Sequence, residues 1–181
     1  MIECYLGLGG NLGDRMSQLA EAVARLEREP GIFLRAVSRV YESEPVGPPQ
    51  PRYLNAVAAV GTLLSPRALL RRLLAVEEQL GRFHRERWGP REIDLDLLFF
   101  SDRVVDEPGL RLPHPLLHER AFVLAPLCEL GPRTVHPLLD RTAAELLLAL
   151  PGAERGSVRP VGPLRRGLEL SEDDAEEPRQ T

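Results

Sequence analysis

Glu3-Cys4-Tyr5-Leu6-Gly7-Leu8-Gly9-Gly10-Asn11-Leu12-Gly13-Asp14-Arg15 changes its period partway along. Cys4, Leu6 and Leu8 fall on one face and Tyr5 and Gly7 on the other, which is a strand spanning Glu3 to Leu8. The glycines then turn the chain. Met16, Leu19, Ala20, Val23 and Leu26 recur at spacings of three and four, a helix that Pro30-Gly31 stops. The same succession returns downstream. Phe33 to Glu42 is β-branched and alternating, and Pro45 to Pro51 must be a loop, since its four prolines cannot donate to a ladder. Tyr53 to Leu64 is a further strand. Ser65-Pro66 supplies a cap and a first-position proline for a helix whose buried side is lined by Leu69, Leu70, Leu73, Leu74, Val76 and Leu80, and Gly81 ends it. Glu92 to Phe100 is the next strand, with Ile93, Leu95, Leu97 and Phe99 on one face.

Strand, helix, strand, strand, helix, strand is the split βαβ order. It predicts an α+β, ferredoxin-like βαββαβ sandwich, a mainly antiparallel sheet with its helices packed on one face. Arg103-Val104-Val105 and Leu110-Arg111-Leu112 form a short extra hairpin around Glu107-Pro108-Gly109. Helical material after Pro113-His114-Pro115 is expected to be interrupted near Pro126. Thr142-Ala143-Ala144-Glu145 is a capping box opening a last short helix that ends at Pro151. Beyond Gly152 the pattern dissolves. The expected division is a single domain over residues 1–152 and a C-terminal extension over 153–181, acidic and disordered from about 171.

All 23 basic side chains are arginine; the chain has no lysine. That excludes a Walker-type phosphate loop, a protein-kinase lysine and Schiff-base chemistry, all of which need an ε-amine. Phosphate must instead be met by guanidinium groups, backbone amides, histidine or metal. Of the formal charge of −4, the stretch from Glu169 to Thr181 holds −5, which leaves the body at +1 and gives it no electrostatic footprint for nucleic acid. Cys4 and Cys128 lack metal spacing and read as reduced, which places the protein in the cytoplasm. Neither a secretion signal nor a membrane span is supported.

The strongest chemical feature is the run from Arg87 to Phe100. In a strand Asp94 and Asp96 share a face, roughly 7 Å apart at the Cα. Two such carboxylates repel, so something cationic must offset them. The plain alternative is a sheet-edge pair held by arginines. Against it, Asp-x-Asp on an otherwise apolar strand offers hard oxygen ligands for Mg²⁺, and Arg82, Arg85, Arg87 and Arg91 crowd the preceding loop around Trp88. That loop reads as a cationic lid, with a solvated basic loop or a nucleic-acid contact as alternatives. The Gly7 to Arg15 turn is not a dinucleotide fingerprint, because Leu12 stands where glycine is required. Asn11 and Asp14 either meet a polar ring or cap the helix. Tyr53 and Asn55 share one strand face, and Asn55 needs partners if buried. His114, rigidly flanked and followed by Arg120 and Phe122, is a phosphate contact or a structural histidine. Dispersed histidines and unpaired cysteines argue against zinc.

Tyr5 to Asp14, Tyr41-Glu42-Ser43-Glu44-Pro45-Val46-Gly47, Tyr53-Leu54-Asn55-Ala56, Arg87-Trp88-Gly89-Pro90-Arg91-Glu92-Ile93-Asp94-Leu95-Asp96 and Leu112-Pro113-His114-Pro115 together resemble the 6-hydroxymethyl-7,8-dihydropterin pyrophosphokinases of folate synthesis, in order and in spacing. The resemblance covers about residues 2 to 150 and leaves the tail outside it. It implies transfer of an intact pyrophosphate from ATP to the pterin hydroxymethyl group, with release of AMP. It further implies that Asp94 and Asp96 hold two Mg²⁺ ions, that Arg82 and Arg91 clamp phosphates as the loop closes, and that Glu77, Arg85, His114 and Arg120 meet the ATP. On the pterin side, Tyr53 and Phe122 would sandwich the ring, Asn55 would read its amide edge and Trp88 would close over it. Asn11, Ser43, Pro45 and Val46 would complete the walls. The expected partners are these small molecules alone, with a monomeric protein and neither nucleic acid nor membrane. The sequence departs from the family pattern at His84, where many members carry arginine; Arg85 next to it is expected to take over. The rival from another class is a non-catalytic ferredoxin-like regulatory module, which has no need of paired aspartates behind an arginine lid.

Overall fold

The computed structural model describes residues 1–81 and 89–164. Its elements follow the expected order: β1 (Ile2–Gly10), α1 (Arg15–Arg28), β2 (Ile32–Val37), β3 (Val40–Ser43), β4 (Tyr53–Thr62), α2 (Pro66–Gln79) and β5 (Asp94–Phe100). The hairpin β6 (Val105–Glu107) and β7 (Leu110–Leu112) comes next. Then follow a 3₁₀ turn (Leu117–Glu119), α3 (Ala121–Leu130), β8 (Val135–His136), β9 (Arg141–Thr142), α4 (Ala143–Ala149), α5 (Gly152–Gly156) and β10 (Arg159–Gly162). Among the described residues six strands form the main sheet, in the order β10-β3-β4-β1-β5 with β2 also on β4, and every pairing is antiparallel. This is the expected α+β arrangement.

The helix signals read in the sequence act where they stand. The Ser65 side chain accepts from Ala68 N with Pro66 at the first turn, and Thr142 and Glu145 close their reciprocal capping box. Asp14 caps α1, its Oδ1 accepting from Ser17 N at 3.2 Å. Of the two roles open to Asp14, the structure selects the local one.

Four expectations change. First, helices cover both faces of the sheet. Leu6, Leu8, Leu95 and Leu97 pack with Leu19, Leu69 and Leu73 of α1 and α2. Tyr5, Val57, Leu98 and Phe99 pack with Leu124, Leu127 and Leu146 of α3 and α4. Every residue of β4 after Tyr53 is buried, as a strand covered on both sides requires. Second, the stretch from Phe33 to Glu42 is two strands. Ser38 Oγ accepts from Val57 N at 2.9 Å and Arg39 N turns away to Glu129 Oε2 at 2.8 Å, which breaks the ladder between them. Third, α3 runs through Pro126 without interruption; Val123, Leu124 and Leu127 bury it firmly enough to offset the one missing N–H. Fourth, the chain beyond Gly152 is not patternless. β10 adds an edge strand, Arg159 opposite Glu42 and Pro160 opposite Tyr41, so the body extends past the expected boundary at 152. Its residues are mostly exposed, so backbone pairing rather than hydrophobic periodicity places it.

Cys4 is buried and Cys128 half-buried, and burial pushes their thiols up to about 12 and about 11, respectively. Both are poor nucleophiles at neutral pH. Among the described residues no helix is long and apolar enough to cross a membrane.

Gly10 lies where β1 runs under the start of β5, and a Cβ there would overlap the Glu92 carbonyl oxygen. Backbone cannot swing aside as a side chain can. Gly10→Ala is therefore expected to destabilise the protein by about 1–3 kcal/mol, read from urea midpoints at constant m-value. A shift no greater than that of an ordinary surface substitution would contradict this packing.

Candidate active site

The face of the sheet that α3 and α4 cover is only half covered. Toward the far end of β1 the rows alternate in phase: Ser43 stands opposite Tyr53, Asn55 opposite Gly9, Val57 opposite Gly7, and on the other flank Gly9 meets Asp94 and Gly7 meets Asp96. The central strand thus presents two glycines between a polar wall and an acidic one. With no side chains there, the sheet itself becomes the floor of a cavity of about 540 Å³. Phe122, Arg120 and His114, from the start of α3 and the chain before it, stand over one end.

Ser43, Val46, Tyr53, Asn55, Arg91, Asp94, Asp96, His114, Arg120 and Phe122 all line this cavity. Three other expected residues do not. Pro45 lies between two lining residues, Glu44 and Val46, without lining the cavity itself. Asn11 is buried and committed elsewhere. Its Nδ2 donates to Gln50 Oε1 and to the Pro51 carbonyl, both at 2.9 Å, and its Oδ1 accepts from Arg91 N at 2.9 Å. It ties the loop after β3 to the loop before β5 and does not reach the cavity. Glu77 is also buried, its Oε1 accepting from Leu95 N. Arg82, Arg85 and Trp88, and with them the question of His84, lie outside the described residues.

The lining is electrostatically ordered. Arg91 Nη1 pairs with Asp94 Oδ2. Arg120 is lowered from its usual range by burial, against which Asp96 and Asp94 work. Its guanidinium stands 5.6 Å from the centre of the Phe122 ring, within cation–π reach. Burial, and then the charge of Arg120, holds His114 down at about 4. Its Nδ1 accepts from Leu116 N at 3.2 Å, so the neutral ring carries its proton on Nε2 and is a donor there. Asn55 is oriented by donation from Nδ2 to Ser43 Oγ at 2.9 Å. A Cβ on Gly9 would lie 3.3 Å from Asn55 Oδ1, which puts that acceptor over the cavity floor. Tyr53 OH donates to Gln50 Oε1 at 3.2 Å. Burial raises its phenol, which therefore stays protonated.

A second cavity, of about 630 Å³, opens beside the first between β5 and the β6–β7 hairpin. The two share Asp96, Arg111, His114 and Pro115. Asp96 therefore stands at a junction between two compartments, and Asp94 lines the first of them beside it. Among the described residues no group of three or more His, Cys, Asp or Glu could hold a metal. Two hard carboxylates suit Mg²⁺ that draws its other ligands from phosphate oxygens and water, so the donor set fits a metal arriving with a phosphate substrate.

Sequence reasoning missed the floor and the hairpin wall. Gly7 and Gly9 share the Tyr5 face, so alternation alone could have marked them. Leu98 follows Asp94 and Asp96 in the same phase and was equally open to view. Arg111 is exposed on the hairpin and pairs with Asp106 at 3.1 Å; only the tertiary fold brings it to both cavities.

The model of the family described as 7,8-dihydro-6-hydroxymethylpterin-pyrophosphokinase (HPPK) matches residues 5–132. Curated relatives include the 2-amino-4-hydroxy-6-hydroxymethyldihydropteridine pyrophosphokinase of Synechocystis sp., 41% identical over 165 residues that cover 91% of this chain and 82% of the relative. The enzyme of the same name from Pseudomonas aeruginosa is 46% identical over 154 residues, covering 83% and 94%. Among solved structures, Plasmodium falciparum HPPK-DHPS with pteroate has a TM-score of 0.66 at 15% identity, a likeness of fold, over 81% of this chain. The match takes in only 44% of that longer chain. A family model matched over most of the chain, and relatives of 41% and 46% identity, together with Asp94 and Asp96 on the wall of the glycine-floored cavity, place this chain in the 7,8-dihydro-6-hydroxymethylpterin pyrophosphokinase family.

Proposed function

We propose that the protein is an ATP-dependent pyrophosphokinase of folate biosynthesis, transferring an intact pyrophosphoryl group from ATP to the hydroxymethyl group of 6-hydroxymethyl-7,8-dihydropterin and releasing AMP. Membership of the family decides for an enzyme over the regulatory module that the same topology could serve. The observation that carries the reading is that Asp94 and Asp96 line one cavity and that Asp96 also lines the second cavity beside it.

The pterin belongs in the cavity with the glycine floor. Tyr53 and Phe122 flank the ring, and Asn55 Oδ1 accepts from the N–H groups of its amide edge. Ser43 holds the carboxamide in that orientation. A site built to satisfy such donors discriminates against rings that lack them. The nucleoside belongs in the neighbouring cavity, so that the triphosphate crosses the junction past Asp94 and Asp96. These two residues would hold two Mg²⁺ ions, which when bound neutralise charge on the transferring phosphoryl oxygens. Arg91 and Arg120, with Arg82 and Arg85 from the loop, clamp the phosphates, and neutral His114 donates from Nε2. The pterin hydroxyl oxygen forms a bond to the β-phosphorus as the bond from that phosphorus to the AMP oxygen breaks, and the hydroxyl proton is released to solvent. Positioning and charge neutralisation supply most of the rate. The protein acts as a monomer in the cytoplasm, with two small-molecule substrates and no nucleic acid.

Asp96→Asn should lower turnover by orders of magnitude while circular dichroism and melting remain those of the parent, because it removes a metal ligand and leaves the volume intact. Unchanged turnover would remove the metal assignment. Arg85→Ala should raise the ATP Michaelis constant and lower turnover together; no change in either would show that Arg85 does not stand in for the arginine missing at His84. His114 has a pKa near 4 in the fold, against an ordinary 6.5, so the unfolded chain binds its proton more readily. Its contribution to stability is present above about 6.5 and is lost as pH falls toward 4. The melting temperature of His114→Gln should therefore fall less steeply across that window than the parent's, and parallel curves would contradict the assignment.

A further inference from the structure

We propose that Glu77 is a positioning residue for the aspartate pair: its carboxyl pins the Leu95 N–H and so fixes the short stretch of β5 from which Asp94 and Asp96 enter the cavity. The proposal rests on the reading of those aspartates as metal ligands. Among the described residues β5 is the last strand of the sheet on its side, with β1 on one edge and no strand on the other. An edge of this kind leaves every second residue's backbone groups without a ladder partner. Leu95 is such a residue. It faces Leu8 in register, while its N–H points outward and donates to Glu77 Oε1 of α2 at 2.5 Å. The neighbours on either side, Asp94 and Asp96, are turned the other way and pair with Gly9 and Gly7. The pair is thus held inward by β1 at two points and outward by α2 at the point between them.

A carboxyl is a costly group to use for this. Glu77 is 1% exposed and lies on the α2 face that also buries Leu69, Leu73 and Val76. Glutamate is rarely buried without a partner, and a buried polar group destabilises unless hydrogen-bonded. A leucine here would extend the apolar stripe but could not accept from the Leu95 N–H. The acid is explained by what it holds. Outer residues of this kind, which act on a metal through its ligands, change metal affinity or activity by about 10- to 100-fold when removed.

The test compares Glu77→Gln, Glu77→Asp and Glu77→Ala in the full-length protein. Amide hydrogen exchange of Leu95 is measured on the protein alone, and Mn²⁺ binding with a non-hydrolysable ATP analogue is followed by electron paramagnetic resonance. Glutamine keeps an acceptor oxygen at the same reach and should retain slow Leu95 exchange and parental Mn²⁺ affinity. Aspartate draws the oxygen back by one methylene and alanine removes it. Both should speed Leu95 exchange and weaken Mn²⁺ binding by about 10- to 100-fold, with the pterin Michaelis constant unchanged. If alanine does not fold, the contrast between glutamine and aspartate decides. Slow Leu95 exchange in the aspartate variant would overturn the proposal. So would a glutamine variant that keeps Leu95 protected yet binds nucleotide as poorly as the aspartate variant, since the carboxylate would then be meeting the nucleotide. Leu95 exchange needs no substrate, so a parent protein that failed to form AMP would refute the proposed function and leave the exchange test of the clamp intact.

Discussion

The antiparallel pairing of β1 between β4 and β5 is the constraint on which the site depends. With Gly9 opposite both Asn55 and Asp94, the register sets an amide wall and an acidic wall on either side of a strand that has no side chains at that level. A shift of one residue would turn Asn55, Asp94 and Asp96 into the leucine-rich core beneath and bring Leu8 and Leu95 up into the cavity. The hydrophobic cost of that exchange protects the site. The leucines under the sheet, packed on α1 and α2, hold the polar residues above it in place. The bulge between Tyr5 and Leu6 then changes the pairing so that Phe99 and Phe100 meet Tyr5 and Cys4, and Phe99 joins the core under α3 and α4.

Covering half of one face is what makes a cavity. α3 and α4 bury Tyr5, Val57, Leu98 and Phe99, and stop short of Gly9 and Asn55. The same helix start that ends the cover carries Arg120 and Phe122, so the boundary of the core is also the rim of the site. Asn11 joins the loops on the open side by accepting from Arg91 N and donating to Gln50 and Pro51. Structure and chemistry are divided among adjacent residues here. Asn11 and Glu77 act on backbone, while Asn55 and Asp94, with similar functional groups, face the cavity.

That division explains what could be read without coordinates. Element order, both capping signals, the hairpin and the aspartate face were legible because each is a local pattern of two to four residues or a simple period. Helices on the second face were less so, although the unbroken apolar runs from Ala56 to Val60 and from Leu97 to Phe100 do mark strands buried on both sides. β10 left no trace, because an exposed edge strand bound by its backbone needs no hydrophobic alternation. The site residues came through as types more faithfully than as roles. Nothing in the sequence distinguishes an asparagine or glutamate that touches a ligand from one that satisfies a backbone group nearby. Direction of a side chain is a tertiary fact, and Asn11 and Glu77 both point into the protein.

The absence of lysine leaves phosphate handling to fixed guanidinium groups. Arg91 is paired with Asp94, and Arg120 is braced by Phe122 and the aspartate charges, an arrangement in which cations and carboxylates are set before any substrate arrives. The central claim is that two substrates occupy two joined cavities and meet at Asp94 and Asp96. A crystal structure with hydroxymethylpterin, a non-hydrolysable ATP analogue and Mg²⁺ tests it most directly. The account predicts the pterin between Tyr53 and Phe122 over Gly9, the nucleoside between β5 and the hairpin, and the β- and γ-phosphates at the two aspartates. A nucleoside lying on the glycine floor, or phosphates remote from Asp94 and Asp96, would contradict it.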